Sequence, residues 1–409
     1  MSGAPRGRSA LSRTVIIAGA GIGGLTAALT IARRGYRVVL LEQAERLDET
    51  GAGIQLSPNA SGILVALGLR ERLAPHVSTP QELMVANAAS GRVLARAPLG
   101  VEVEQCYGAP YWIIHRADLQ AALCAAVAAN PDIELRLAAQ VDDFAAHDSG
   151  ITVAARCGRA TIEERGIALI GADGLWSRLR GRLGHGAAPR FAGATAWRAL
   201  VPAEAVVCEL SAPAVHLWFG HGGHLVYYPV KGGRLVNVVA ILRDDWHEPG
   251  WSAPGNRDEL VRRIDSGGWR GPPREIIDAA DRWLKWALYD AAPLAHWGRG
   301  RVTLLGDAAH PTLPYLAQGA AMAIEDAAEL GECLGGTDGE VAGALRRYEQ
   351  RRLARTARTQ REARRNGVVY HLGGLAGLAR SLALAAIGGE RLISRYDWLY
   401  GFAPAPTTG

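Results

Sequence analysis

The sequence predicts an α/β fold of three parts: a Rossmann-like parallel sheet with helices, an inserted and mainly antiparallel β-sheet, and a C-terminal helical segment. A buried strand, a glycine-rich turn and a helix follow one another from Thr14 onward. Short apolar runs separated by Gly and Pro turns fill residues 191–242, which is typical of an antiparallel sheet. The chain has 409 residues, more than the ~250–300 that one hydrophobic core usually organises, so more than one domain is expected.

The three parts are not all contiguous in sequence, because the β-sheet domain is expected to be inserted into the parallel-sheet domain. Within the inserted domain, residues 257–286 predict mainly helix. The expected ranges are 14–82, 105–187 and 287–345 for the first domain, 83–104 and 188–286 for the second, and 346–409 for the C-terminal segment.

The first strand–turn–helix carries a dinucleotide-binding pattern. Gly19, Gly21 and Gly24 fit G-x-G-x-x-G, in which the first glycine permits a tight turn, the second admits a pyrophosphate and the third allows close helix packing. The helix N-terminus offers free N–H groups to phosphates. Glu42, at the end of the next buried strand, can accept hydrogen bonds from a ribose. An ordinary glycine-rich turn would leave Glu42 unexplained, but the pattern alone does not separate NAD from FAD.

Two further strand ends carry polar side chains, which is where α/β sheets bind ligands. Asp173 is followed by Ser177 and Arg180, although an Asp-Gly pair alone is a common turn. Asp307 ends a later strand and can hold a polyol hydroxyl. After a proline-stiffened loop a helix begins near Gln318, and its first residues are small: Gly319, Ala320 and Ala321. Their N–H groups and the positive helix end would stabilise negative charge on a reduced flavin ring.

Three more features have two interpretations each. Arg116, at the start of a helix, could reach a phosphate or sugar, or form a salt bridge with Asp118. Gly51 and Gly53 would let the backbone lie close to a flat ligand, or they form a plain loop. Alternation along the strand from His224 to Val230 places His224 and Tyr228 on one face, either over a substrate or as ordinary wall residues.

The basic charge is local. The net charge is +5, but residues 345–366 hold nine Arg and two Glu, so the rest of the chain sums to −2. A solvated helix face is one interpretation, and attraction of an anionic substrate or nicotinamide cofactor is the other. No nucleic-acid reader motif accompanies the charge, so no nucleic-acid partner is expected.

Targeting and metal signals are not found in the sequence. No apolar run of ~18 residues predicts a membrane span. The first 13 residues have no secretory h-region and are expected to be a frayed tail, and residues 404–409 are expected to be disordered. The five cysteines form no C-x-x-C pair, which favours reduced thiols in a cytoplasmic protein without a metal site.

The combination of motifs resembles a known family. The motifs are G-x-G-x-x-G at Gly19 to Gly24, Asp173-Gly174 with Ser177 and Arg180, and Gly306-Asp307 with its proline loop. Together they resemble the para-hydroxybenzoate-hydroxylase type (group A) of FAD-dependent aromatic monooxygenase, over nearly the whole chain. Within this family the chain looks most like the salicylate, 3-hydroxybenzoate and 6-hydroxynicotinate hydroxylases, in runs that include His115-Arg116, Ala317-Gln318-Gly319-Ala320 and Tyr370-His371-Leu372-Gly373-Gly374. The resemblance implies a GR2-type flavoprotein fold and an oxidoreductase of aromatic compound catabolism.

The resemblance also implies a role for each motif. Gly19, Gly21 and Gly24 would hold the FAD pyrophosphate, and Glu42 the adenosine ribose. The other implied FAD contacts are Arg116, Asp173, Asp307, Gln318, Gly319, Ala320 and Ala321. Asp173 would also serve the passing nicotinamide cofactor, NADH or NADPH.

The implied reaction uses NAD(P)H and O2 to hydroxylate a small hydroxylated aromatic or pyridine carboxylic acid through a C4a-hydroperoxyflavin. His224 would act as general base near the phenol and Tyr228 would orient the ring, with Pro314 and His310 also at the pocket. Some 3-hydroxybenzoate hydroxylases have a polar residue where this chain has Pro314. No arginine is clearly placed as the carboxylate anchor: Arg198 is one possibility, but an outward-facing charge is the expectation for it. The alternative is a flavin monooxygenase or epoxidase for a larger natural product, and a monomer or homodimer is expected.

Overall fold

The structure is a computed structural model that describes residues 13–47, 52–186, 188–206, 213–248, 252–335 and 340–404. Gly51, the N-terminal tail up to residue 12 and residues 405–409 lie outside the described residues, so the expectations for them are not addressed.

Strands and helices are interspersed as far as β19, and the described regular elements from Gly319 onward are all helices. The strands are β1 (Thr14–Ala18), β2 (Arg37–Leu41), β3 (Gly53–Leu56), β4 (Val77–Ser78), β5 (Glu82–Asn87), β6 (Val93–Pro98), β7 (Trp112–His115), β8 (Ile133–Arg136), β9 (Ala139–His147), β10 (Gly150–Cys157), β11 (Ala160–Gly166), β12 (Ala168–Gly171), β13 (Arg190–Pro202), β14 (Ala214–Gly220), β15 (Gly223–Val230), β16 (Leu235–Arg243), β17 (Ala253–Gly255), β18 (Trp283–Asp290) and β19 (Val302–Leu304). The helices are α1 (Ile22–Ala32), α2 (Pro58–Ala66), α3 (Arg70–Leu73), α4 (Gly100–Tyr107), α5 (Arg116–Ala128), α6 (Arg178–Arg182), α7 (Arg257–Ser266), α8 (Pro272–Asp278), α9 (Gly319–Gly335), α10 (Val341–Tyr370), α11 (Gly374–Ile387), α12 (Gly389–Ser394) and α13 (Asp397–Tyr400).

A five-stranded parallel sheet confirms the Rossmann-like part of the prediction. Its order is β19-β12-β1-β2-β8. Val15, Ile16 and Ile17 of β1 are fully buried, as expected for the central strand of a sheet covered on both faces. Helix α1 packs on α9, and Thr30 donates a hydrogen bond of 2.7 Å to the carbonyl of Ala327. The glycine turn and the start of α9 are therefore held in one rigid layer.

The predicted second sheet has eight strands in the order β17-β18-β13-β16-β15-β14-β5-β6. Neighbouring strands pair antiparallel, except that β14 and β5 are parallel. One face packs under α7 and α8 and includes Trp197, Trp218 and Tyr227. The other face carries His224 and Tyr228, so the predicted alternation along β15 is confirmed.

Two predicted helical segments differ from the structure in part. Residues 257–286 are mainly helical in α7 and α8, as predicted, but the segment ends in a strand, because Trp283 to Asp290 form β18, which pairs with β13 and extends the large sheet. The expected domain boundary between residues 286 and 287 therefore falls inside a strand, and the domain limits remain a prediction. The sequence also predicts one helix from Asn59 to Leu73, but this segment is interrupted, since α2 ends at Ala66 and Gly68 adopts a φ of +80° before α3.

The Arg-rich segment is one long helix, α10, and much of its charge is neutralised inside the protein. Arg352 is fully buried and binds the carboxylates of Glu325 and Asp326 on α9 at 2.6 and 2.7 Å. Arg355 also binds Glu325, and Arg364 binds Asp290. A wholly solvated helix face was therefore the wrong expectation for this segment.

None of the described helices is by itself long and apolar enough to cross a membrane. The pair α10 and α11 meets the length and composition test only when its members are taken together, across a bend of 114°.

His216 makes the core under α7 and α8 sensitive to acid. Its ring stacks on Tyr227 at 4.5 Å, and burial lowers its pKa to about 4. The unfolded state therefore gains a proton below pH ~6.5 that the folded state excludes, which costs about 1.4 kcal/mol of stability per pH unit down to about pH 4. We expect His216→Phe to lose less stability than the wild type between pH 7 and pH 5 in urea unfolding. Equal losses in both proteins would contradict the assignment of this proton uptake to His216.

Candidate active site

The glycine-rich turn between β1 and α1 has the geometry that its sequence predicts. Gly19 has a φ of +104°, in the left-handed region, and a Cβ there would overlap the carbonyl oxygen of Ala172. A Cβ on Gly24 would overlap the carbonyl oxygen of Gly19. At Gly21, by contrast, an added Cβ would have no protein atom within 4 Å. The first and third glycines are thus required by the protein itself, whereas the second faces open space.

Glu42 lies beside this turn. One carboxylate oxygen accepts a hydrogen bond of 2.7 Å from the N–H of Ala20, and the other accepts one of 2.8 Å from the N–H of Ala44. The carboxylate therefore fixes the turn, and the lone pairs that remain on its oxygens are available to a ribose hydroxyl.

Arg180 joins the two acidic strand ends. Its guanidinium is buried and donates to the carbonyl oxygens of Leu175 at 2.6 Å and Ala308 at 3.2 Å. Asp173 accepts from the N–H groups of Arg178 and Leu179 through one oxygen, while its other oxygen is buried without a hydrogen-bond partner among the described residues. Such an orphaned acceptor is rare in folded proteins and fits a ligand that donates a hydrogen bond.

The third acidic position, Asp307, lies in a 3₁₀ turn (Gly306–Ala308) directly after β19, with its side chain exposed. The positive charges of Arg116 and Arg180 lie within electrostatic range of its carboxylate. Arg116 begins α5 and its N–H donates to the carbonyl of Ala52. The structure therefore brings Arg116, Asp173 and Asp307, which are far apart in sequence, to one cleft at the carboxyl ends of the parallel strands.

Helix α9 begins beside the same cleft. Its first N–H groups have no intrahelical acceptor, and an added Cβ on Gly319 would meet no protein atom within 4 Å. Ala317, just before the helix, has a φ of +53°, a conformation that costs a non-glycine residue of the order of 1 kcal/mol. The Gln318 amide is buried and bonds Ser57 and Asn59, so its side chain positions the loop rather than facing a ligand.

The cleft fits a flavin dinucleotide. It offers open backbone at Gly21, acceptors for ribose and ribityl hydroxyls at Glu42 and Asp307, and the positive end of α9 with open space at Gly319. These are the groups that a pyrophosphate, a polyol chain and the pyrimidine edge of a flavin require.

The eight-stranded sheet provides the second half of the site. Register pairs Val226 with Val239 and Val239 with Arg198, so these side chains share the face that carries His224 and Tyr228. We call this surface the inner sheet face, formed by His224, Val226 and Tyr228 of β15, Val239 and Ile241 of β16, and Ala196 and Arg198 of β13. The expectation that Arg198 faces outward was wrong, because a residue directly opposite Val239 must point to the same side. Polar groups therefore surround an apolar floor.

His224 is held by residues that sequence reasoning missed. Its Nδ1 lies 3.0 Å from Nε2 of His371, and its ring contacts those of Tyr315 and Tyr370 at centroid distances of 5.5 and 5.2 Å. Burial, together with the neighbouring His371, lowers the pKa of His224 well below its usual value. Burial also lowers the pKa of His371 to about 4. Both rings are neutral at pH 7, so one nitrogen of the pair donates and the other accepts.

Tyr228 is fixed at the other end of β15. Its hydroxyl donates to the carbonyl of Gly53 at 2.8 Å, and the N–H of Gly53 donates to Asn237 at the same distance. Burial raises the pKa of Tyr228 to about 12, so it is a neutral phenol. The contact with Gly53 ties the inner sheet face to β3, which leads into α2 beside the cleft.

His310 and Pro314 occupy the loop before α9. The ring of His310 is buried against Trp297, and its Nε2 bonds Asp326 at 2.5 Å. His310 thus contacts the buried ion pairs that Asp326 and Glu325 of α9 form with Arg352. A direct role of His310 in the substrate pocket stays a prediction. Pro314 begins a 3₁₀ turn (Pro314–Leu316) that presents Tyr315 to His224, which gives the proline a structural role.

A cleft that fits a flavin dinucleotide, next to the inner sheet face with its polar side chains, places this protein in the class of flavin-dependent oxidoreductases. The FAD binding domain family matches residues 12–363, and the chain belongs to this family of FAD-dependent aromatic-ring monooxygenases. The 3-hydroxybenzoate 6-hydroxylase 1 of Aquipseudomonas alcaligenes is 38% identical, across 96% of this chain and 98% of that protein. A 3-amino-4-hydroxybenzoate 2-monooxygenase of Streptomyces platensis is also 38% identical, with 96% of each covered. A salicylate hydroxylase substrate complex superposes with a TM-score of 0.80 at 26% identity, covering 97% of both chains.

Proposed function

We propose that this protein hydroxylates a small hydroxylated aromatic carboxylic acid of the 3-hydroxybenzoate, salicylate or 6-hydroxynicotinate kind. In the balanced ring hydroxylation, the aromatic C–H, O2, NAD(P)H and a proton give the aromatic C–OH, NAD(P)+ and water. Bound FAD supplies the transfer of electrons from NAD(P)H to oxygen. The observation that carries the proposal is the inner sheet face, where His224, Tyr228 and Arg198 surround an apolar floor.

The residues of the site would orient the acid and raise the electron density of its ring. A neutral His224 with a lowered pKa is a ready proton acceptor but a weak base, so it would accept a hydrogen bond from the phenol and take the proton as charge develops. His371 would hold the His224 ring through the bond at Nδ1. The aromatic side chains of Tyr315 and Tyr370 would exclude water from the reacting ring.

The first test is NADH and NADPH oxidation by the FAD-loaded protein with salicylate, 3-hydroxybenzoate, 6-hydroxynicotinate and 3-amino-4-hydroxybenzoate. Each reaction is followed to its product by mass spectrometry. We expect one acid to stimulate oxidation and to give one stoichiometric hydroxylated product, and a mass loss of CO2 would reveal decarboxylative hydroxylation. Normal flavin spectra with no stimulation by any of these acids would contradict the proposal and favour a larger aromatic substrate. The oligomeric state, a monomer or a homodimer, and the cytoplasmic location of the protein remain predictions.

Substitutions on the two faces of the sheet test the catalytic assignment. We expect His224→Ala to lower coupled hydroxylation by ~100-fold or more, the usual range for a lost proton acceptor. Tyr228→Phe should lower it by about 10-fold, because the ring loses its hydrogen bond to Gly53 but keeps its shape. The matched controls are His216→Ala and Tyr227→Phe, whose side chains lie on the opposite face. Equal losses in variants and controls would mean that only sheet packing was disturbed.

A further inference from the structure

Arg198 carries a charge on the inner sheet face, and no acidic side chain in the described part of the chain forms a salt bridge with it. Its guanidinium lies 5.0 Å from the ring centroid of Trp286, and it forms no hydrogen bond or salt bridge with any described residue. Its Nε is buried. By contrast, the neighbouring cation on the opposite face, Lys285, lies between Asp244 and Glu259.

The surroundings of Arg198 make its charge costly. Burial lowers the pKa of its guanidinium, and the positive charge of Arg116 nearby adds to this effect. Tyr228 is close enough to interact with the charge but is a neutral phenol. A half-buried cation near another cation is unfavourable unless an anion joins them, and arginine binds a carboxylate through two parallel N–H bonds.

The position of Arg198 suits one end of an aromatic acid. Two strand spacings of about 4.8 Å each separate β13 from β15. Val239 of β16 lies between Arg198 and Val226, and Val226 is on the same strand and the same face as His224, so apolar side chains separate the guanidinium from the histidine.

We propose that Arg198 binds the carboxylate of the substrate and thereby selects acids over neutral phenols. The proposal rests on the function proposed above. In this arrangement the aromatic ring lies over Val226 and Val239, its carboxylate meets Arg198, and its hydroxyl points toward His224. Arg198 is thus a specificity-determining residue, and its substitution should change binding of the acid without changing binding of a neutral analogue.

The test compares 3-hydroxybenzoate with 3-hydroxybenzamide, a neutral analogue of the same shape, by perturbation of the flavin spectrum in the holoenzyme. We expect Arg198→Met to weaken binding of the acid by about 100-fold, as for a buried charge pair that loses one partner, and to leave the amide within about 3-fold. Arg198→Lys keeps the charge but not the bidentate geometry, so about 10-fold weaker acid binding is expected. The matched control is Arg190→Met, an exposed arginine at the start of the same strand, which should bind both ligands normally.

Several results would overturn the proposal. One is an unchanged acid-to-amide ratio in Arg198→Met, and another is loss of FAD affinity with normal acid binding, which would assign the guanidinium to the cofactor. If Arg198→Met does not retain FAD, the Arg198→Lys variant is used for the test. In that case, the same ratio of acid binding to amide binding as in the wild type would overturn the proposal. Failure of the wild type to bind any of the tested acids would refute the proposed function itself, whereas acid binding that survives in the variants would refute only the role of Arg198.

Discussion

Replacement of Gly24 by alanine is expected to abolish retention of FAD and to destabilise the protein by about 3 kcal/mol. The reason is steric, since a Cβ at Gly24 would overlap the carbonyl oxygen of Gly19 and lie 3.5 Å from the Cβ of Ala172. The overlapping carbonyl group of Gly19 is backbone, so α1 can make room only by moving away from β1. The flavin absorbance of the purified protein and urea unfolding of the apoprotein measure the two effects.

Gly21→Ala is the matched control, because a Cβ there meets no protein atom within 4 Å and the backbone has an ordinary φ of −69°. The apoprotein should lose only about 1 kcal/mol of stability, because alanine is a poorer helix N-cap than glycine by roughly that amount and no neighbouring atom has to move. FAD affinity should nevertheless fall, because the added methyl group enters the space where the pyrophosphate would lie. A Gly21→Ala protein that binds FAD as tightly as the wild type would show that the cofactor does not approach at this residue.

The sequence predicted the cofactor cleft better than the substrate side, and the reason is the range of the contacts. The glycine turn is decided largely within a few residues, since Gly24 packs against the carbonyl of Gly19, and the main distant contact is that of Gly19 with Ala172 after β12. Strand ends of a parallel sheet meet at one edge, so Asp173 and Asp307 could be placed together from their strands alone. The alternation of His224 and Tyr228 is likewise a local property of β15.

The residues that hold His224 could not be predicted in the same way. His371 is 147 positions away and follows the last turn of α10, so no periodicity connects it with β15. Tyr315 reaches His224 from a 3₁₀ turn. Which face Arg198 joins depended on the pairing register of β13 with β16, which the sequence of β13 alone does not contain. A motif quoted only as part of the family resemblance, Tyr370-His371, was the one available signal.

Charge counting misled for a related reason. The nine arginines of residues 345–366 predict a basic surface when each is assumed to be solvated. Three of them, Arg351, Arg352 and Arg355, pair instead with carboxylates of α9, a separate helix whose acidic side chains face α10: Glu325, Asp326 and Glu329. Net charge in a segment of sequence therefore says little about field strength at the surface until tertiary pairing is known.

Arg352→Met is expected to destabilise the protein by about 3–5 kcal/mol, the usual cost of removing one partner from a buried ion pair. Arg352, Glu325 and Asp326 are all fully buried, so the substitution leaves carboxylate charge in the interior. Burial alone would raise the pKa of Asp326, but His310 and Arg352 lower it to about 2, so this carboxylate is ionised at pH 7 and needs its cation. Urea unfolding at pH 7 measures the loss.

The same substitution should reduce FAD retention, because Asp326 also accepts the N–H of Gly306, the residue before Asp307. The control is Arg365→Met on the same helix, whose side chain is 65% exposed and 3.7 Å from Glu362. We expect Arg365→Met to change the free energy of unfolding by no more than about 0.5 kcal/mol, as for other exposed ion pairs. If Arg352→Met were as stable as Arg365→Met, the buried network would not be what joins α10 to the flavin-facing helix. If Arg352→Met were less stable but kept its flavin, the buried ion pairs would contribute to packing only. The turn that carries Asp307 would then be held in place by β19 alone.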